Sequence, residues 1–153
     1  FKEEDVRVKV VAAIDNFETT MPFVYIAGYE NYFKIVKEKG YKCAVVTSSN
    51  DKKMANVFNR HPEFKYEYDT IITADDITLS KPNPQCFLLA AERLGVKPEE
   101  CLMVGNDVSD DMVAERLGMK VFLLTDCLIN KTDTDVSDFP NGSFDDLIEF
   151  ISR

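Results

Sequence analysis

The chain has 153 residues, of which 45% are hydrophobic and 29% are charged, the balance of one folded domain that spans residues 1–153. Its formal net charge of −9 disfavours nucleic acid as a partner, because nucleic-acid-binding proteins normally carry a basic patch. No apolar run is long enough to span a membrane, so we expect no membrane partner and a cytoplasmic protein whose four cysteines are reduced.

Short apolar runs alternate with amphipathic segments from Gly28 onward. In chain order the pattern predicts a helix that begins near Tyr29, a strand over 42–47, a helix capped by Asn50, a strand over 70–73, a helix over 84–95, a strand over 101–104, a helix that ends at Gly118, a strand over 120–124 and a helix capped by Ser143. Such alternation indicates an α/β fold with a doubly wound parallel sheet and helices on both faces, in three layers. Ligands of this architecture bind beyond the carboxyl ends of the strands.

The residues that follow the predicted strands combine a hydroxyl pair, a lysine and clustered acids. Thr47 and Ser48 follow one strand, Lys81 lies in the loop after the next, and the acidic sequence "GNDVSDD" over 105–111 follows the third. Hydroxyl and backbone N–H groups can hold phosphate oxygens, and a lysine supplies a compact positive charge. Clustered carboxylates suit Mg²⁺, which prefers oxygen ligands. The pattern therefore favours phosphoryl chemistry at one rim of the sheet.

Two pairs within the acidic sequence share a four-residue step and are candidates to bind the metal. One pair is Asn106 with Asp110, and the other is Asp107 with Asp111. Counting helical residues back from Gly118 favours Asp110, whereas charge favours the second pair, because a metal gains more from two carboxylates. We therefore predict Asp107 and Asp111 as ligands, with Asp110 as an outer residue or helix cap.

Three segments together resemble the haloacid dehalogenase superfamily of Mg²⁺-dependent phosphohydrolases. "AVVTSS" is similar to its second motif, "SKPNPQCFLLAAERLGV" to its third and "CLMVGNDVSDDMVAERLGM" to its fourth, and the likeness covers about residues 28 to 153. The resemblance implies a Rossmann-like core without a full cap domain. It also implies that Thr47 and Ser48 bind phosphate, that Lys81 steadies phosphate and nucleophile, and that Mg²⁺ is the cofactor. The expected substrate is a small phosphorylated metabolite, hydrolysed through an aspartyl-phosphate.

The first motif of that superfamily, D-x-D-x-[TV], has an incomplete counterpart in "DNFET" over 15–19. Asp15 keeps the carboxylate nucleophile, but Phe17 cannot act as the general acid. Residues 1–27 then form either the first strand or the remnant of a cap helix, and the helix-like spacing with the missing second aspartate favours the remnant. In the second case the chain is a non-catalytic or truncated core that binds metal, phosphate or a partner without turnover.

Overall fold

The computed structural model describes residues 25–63 and 67–153. The described helices are α1 (Tyr29–Glu38), α2 (Asp51–Arg60), α3 (Gln85–Leu94) and α4 (Phe144–Ile151). The strands are β1 (Ala44–Val46), β2 (Thr70–Ile72), β3 (Leu102–Gly105), β4 (Lys120–Leu124) and β5 (Asn141–Gly142). Short 3-10 helices cover Ala74–Asp76, Pro98–Glu100 and Met112–Leu117. The predicted strand ending at Asp15, and with it Asp15 itself, lies outside the described residues.

All pairings between the named strands are parallel, which confirms the predicted α/β class. β1 pairs with β2, while β4 lies between β3 and β5. Within the described residues the strands therefore form two groups. Alternate residues of β4 pack into different cores, because successive side chains of a strand point to opposite faces. Val121 and Leu123 belong to a core that includes Phe87 of α3.

The second core lies on the other face of β4. Phe122 and Leu124 pack there with Phe144 and Leu147 of α4, and Tyr29 of α1 adds to it. Helices thus cover both faces of the strands, as the sequence predicts. None of the helices in the described ranges is long and apolar enough to cross a bilayer.

Capping residues fix several helix ends where the sequence predicts them. The Asn50 side chain accepts a hydrogen bond from the Lys53 backbone N–H at the start of α2. Ser143 and Asp146 form a capping box at the start of α4. The predicted helix before Gly118 is a 3-10 helix of six residues, and it ends as predicted at Gly118, which adopts a left-handed conformation with φ of 90°.

Candidate active site

A buried ion pair joins the loops that follow β2 and β3. Lys81 Nζ donates a hydrogen bond to Asp111 Oδ1 at 2.6 Å, and the two side chains are only 11% and 7% exposed. The ammonium group also lies 5.5 Å from the ring centroid of Phe87, and the peptide bond before Pro82 is cis. Because Lys81 follows β2 and Asp111 follows β3, the contact brings the carboxyl ends of both strand groups to one rim.

Asp111 also organises the backbone of its own loop. Its Oδ2 accepts hydrogen bonds from the backbone N–H groups of Asn106 and Asp107, both at 3.1 Å. The close approach requires a glycine at position 105, since an added Cβ would lie 2.5 Å from the Cβ of Asp111. Both carboxylate oxygens of Asp111 therefore accept hydrogen bonds from the protein. Asp111 is thus less available to a metal ion than a carboxylate with a free oxygen.

The two carboxylate oxygens of Asp107 have different contacts. Its Oδ1 accepts hydrogen bonds from the backbone N–H groups of Ser109 at 2.9 Å and Asp110 at 3.0 Å. Its Oδ2 lies 3.8 Å from Lys131 Nζ, and its side chain is 12% exposed. Asp110 is only half-buried and contributes its N–H to this turn. Of the predicted pair Asp107 and Asp111, only Asp107 has a carboxylate oxygen that accepts no hydrogen bond within the described residues. The carboxylate of Asp110, which lies in the same turn, accepts none there either.

The loop after β4 packs against the acidic loop, a contact that the sequence analysis missed. Asp107 and Ile129 form an isolated parallel bridge, supported by hydrogen bonds from Val108 N–H to Ile129 O at 3.0 Å and from Ile129 N–H to Asn106 O at 2.8 Å. The Asn106 side-chain amide donates to Cys127 O at 2.9 Å. The sequence could have predicted this contact. In a parallel sheet β3 and β4 end at the same edge, so the loops that follow them lie close together.

Thr47 and Ser48 lie directly after β1. The Thr47 hydroxyl oxygen accepts a hydrogen bond from Ser49 N–H at 3.1 Å, while the Thr47 N–H donates to Ile72 O at 2.9 Å. The hydroxyl proton remains available to a ligand, and Ser48 is exposed. Among the described hydrogen bonds, none joins Thr47 directly to Lys81 or to Asp107.

The side chains at this rim fit a metal ion such as Mg²⁺, which needs few protein ligands, better than a metal ion whose ligands all come from the protein. Within 25–63 and 67–153, no group of three or more His, Cys, Asp or Glu side chains is arranged to hold a metal ion. Mg²⁺ typically binds through one or two carboxylates and completes its shell with water and substrate phosphate. Asp107 Oδ2, which accepts no hydrogen bond within the described residues, fits that requirement, with Asp111 bonded to the backbone of the same loop.

The four cysteines do not offer a nucleophile. Burial raises the pKa of the thiols of Cys43, Cys86, Cys101 and Cys127, and the field of Lys81 only partly opposes this at Cys86. A thiol with a raised pKa is protonated at neutral pH and reacts slowly. All four are free. A covalent mechanism would therefore use oxygen rather than sulfur.

A cavity of about 600 Å³ lies elsewhere, lined by residues 25–28 together with Glu30, Asn31, His61 and Glu63. None of the residues discussed at the strand ends contributes to it. The rim built by Lys81, Asp107 and Asp111 is therefore defined by its charges and hydrogen bonds rather than by the depth of a cavity.

Comparison with known proteins identifies the class that this fold and site define. The family model of haloacid dehalogenase-like hydrolases matches residues 2–118, so the chain belongs to that family. It is 30% identical over 131 residues to the pyrophosphatase PpaX of Bacillus cereus, covering 81% of this chain and 59% of that protein. It is 34% identical over 114 residues to a glyceraldehyde 3-phosphate phosphatase of Methanopyrus kandleri, covering 72% and 48%.

The fold has a solved counterpart in a HAD phosphatase from Thermococcus onnurineus. That structure is 26% identical, with a TM-score of 0.67, and the match covers 82% of this chain and 57% of that chain. The chain thus spans about half the length of the curated relatives it matches.

Proposed function

We propose that this protein is a Mg²⁺-dependent phosphohydrolase that acts on a small phosphorylated metabolite. The buried pair of Lys81 and Asp111, with Asp111 bonded to the backbone N–H of Asp107, is the observation that carries the proposal. A structural ion pair alone would not need the second carboxylate of Asp107 in the same loop, because like charges repel. The relatives named as phosphatases support the same class of reaction.

Each residue has a defined task in the proposed reaction. Thr47 and Ser48 hold phosphoryl oxygens through hydroxyl and backbone N–H groups, and Lys81 adds positive charge beside them. Asp107 would hold Mg²⁺, with Asp111 fixing the loop, and the metal would supply neutralisation of phosphoryl charge. The net charge of −9 makes such local positive charge necessary, because the protein as a whole repels anions.

Under the alternative in which residues 1–27 form the first strand, Asp15 is the proposed nucleophile. Its carboxylate would attack phosphorus, so that a new oxygen–phosphorus bond forms while the bond to the leaving oxygen breaks. Water then hydrolyses the acyl-phosphate and restores the carboxylate. Since Phe17 replaces the usual general acid, the leaving group must depart as a stable anion or take its proton from solvent. We therefore expect a preference for substrates with good leaving groups.

Hydrolysis of p-nitrophenyl phosphate with and without Mg²⁺ tests the proposal. The parent chain should turn over only with the metal, and Asp107→Asn should lower the rate on the order of 100-fold. Asp138→Asn, the same change at an exposed position, should leave the rate unaltered. Turnover that survives Asp15→Asn would remove Asp15 from the nucleophile role. No turnover by the parent chain would refute catalysis and leave a non-catalytic, ligand-binding core.

A further inference from the structure

Lys131 is an exposed lysine at the edge of the acidic site whose only ion pair within the described residues is a long one to Asp107. Its side chain is 70% exposed, and its Nζ lies 3.8 Å from Asp107 Oδ2, beyond ordinary hydrogen-bond distance. An ion pair of this kind contributes little to stability, about 0–1 kcal/mol. Within the described part of the chain the three ammonium donors of Lys131 therefore remain available to a ligand.

The backbone that carries Lys131 is held in place on both sides. On one side, Ile129 forms the bridge to Asp107. On the other side, the Asn130 side chain donates to Thr134 O at 2.8 Å and accepts from Thr134 N–H at 3.1 Å. The side chain is thus long and exposed, but its attachment point is held beside Asp107. Such an arrangement presents a cation to a ligand without the cost of ordering the loop.

The two lysines paired with the acidic loop differ in how their charge is used. Lys81 is buried and its charge is committed to Asp111, whereas Lys131 is exposed and its charge is only loosely paired. A phosphoryl group bound next to Asp107 would therefore have Lys131 as its outer neighbour. The protein has a net charge of −9 and repels anions, so the positive charge of Lys131 would favour binding of a ligand with a second negative group at this position.

We propose that Lys131 is a specificity-determining residue that binds a second anionic group, adjacent to the phosphoryl group held at Asp107. The substrate class is then a doubly anionic compound, either a diphosphate or a phosphorylated carboxylate. This inference rests on the proposed function for the location of the phosphoryl group, but not on turnover. Of these two, the diphosphate would also suit a site with Phe17 in place of the general acid, since its leaving group is a phosphate that departs without protonation.

Binding of three matched, non-hydrolysable phosphonates tests the proposal separately from catalysis. Methylphosphonate carries one anionic group, methylenediphosphonate adds a second phosphonyl group, and phosphonoacetate adds a carboxylate. Isothermal titration calorimetry of the full chain with Mg²⁺ should show tighter binding of at least one doubly anionic compound than of methylphosphonate. Which of the two binds more tightly distinguishes the diphosphate from the carboxylate substrate.

Lys131→Gln should weaken the doubly anionic ligand on the order of tenfold and change methylphosphonate binding less than about twofold. Lys131→Arg should retain most of the affinity. Lys120→Gln, at the exposed start of β4 on the opposite edge, is the matched control and should have no effect. Titration with Mg²⁺ alone should be unchanged or slightly tighter in Lys131→Gln, because a nearby positive charge is lost.

Several results would overturn the proposal. Equal weakening of all three phosphonates would mean that Lys131 contacts the first phosphoryl group, and no weakening would mean that it contacts neither. Failure of the parent chain to bind any doubly anionic phosphonate would refute the substrate class directly. If binding follows the expectation but p-nitrophenyl phosphate is not hydrolysed, the recognition proposal stands and the proposed catalytic activity fails.

Discussion

Removing both members of the Lys81–Asp111 pair should cost less than the sum of the two single removals. The two side chains are 11% and 7% exposed, so Asp111→Asn would leave an ammonium group buried without its counter-charge. Breaking a buried pair in this way costs about 3–5 kcal/mol. A domain of this size has a total stability of only about 5–15 kcal/mol, so the effect is a large fraction of it.

Lys81→Met should be milder, because Asp111 keeps the two backbone N–H donors at its Oδ2. We expect a cost of about 1.5–3 kcal/mol, the range for a hydrogen bond to a charged group. The double variant should cost less than the sum of the two single changes by about 1–3 kcal/mol, since the second change removes a charge already unpaired.

Urea unfolding followed by circular dichroism measures these differences. With a slope of about 2 kcal/mol per molar urea, Asp111→Asn should lower the midpoint by about 1.5–2.5 M. The pair of Arg93 and Asp76 provides the control, because its atoms are 3.1 Å apart but its side chains are 39% and 27% exposed. A double-mutant cycle on Arg93 and Asp76 should give an interaction energy of less than about 1 kcal/mol. Costs at Lys81 and Asp111 that add within about 0.5 kcal/mol would refute the reasoning.

Three further predictions follow from local contacts. Gly105→Ala should destabilise the fold by about 1–3 kcal/mol and weaken Mg²⁺ binding, measured by urea unfolding and calorimetry, because its Cβ would overlap Asp111. Hydrogen bonds from the Thr73 backbone and then Arg93 lower the pKa of Asp76, so its stabilisation is complete above about pH 4 and is lost as pH falls further. Asp76→Asn should therefore flatten the acid limb of stability against pH, and curves that stay parallel would contradict this. Asn50→Ala should lower the free energy of unfolding by about 1 kcal/mol, since it removes the cap of α2.

Local signals predicted most helices and strands, because caps and apolar periodicity act over a few residues. The cap at Asn50 and the capping box at Ser143 are examples that the structure confirms. The two-residue strand β5 was missed because its Asn–Gly sequence is typical of a turn, and only pairing with β4 makes it a strand. Lys131 was missed for a related reason. Its importance comes from a bridge between two loops, which periodicity does not indicate.

The acidic loop shows where sequence spacing stops being informative. Asn106 with Asp110 and Asp107 with Asp111 have the same four-residue step, so spacing cannot separate them, and charge was the basis for preferring the second pair. In the structure the two acids of that pair differ. Because position 105 has no Cβ, the Asp111 side chain can bond Lys81 and the backbone, while Asp107 Oδ2 accepts no hydrogen bond within the described residues. Under the proposed function, the metal ligand and the residue that positions it therefore share one motif, and the missing side chain at position 105 separates their roles.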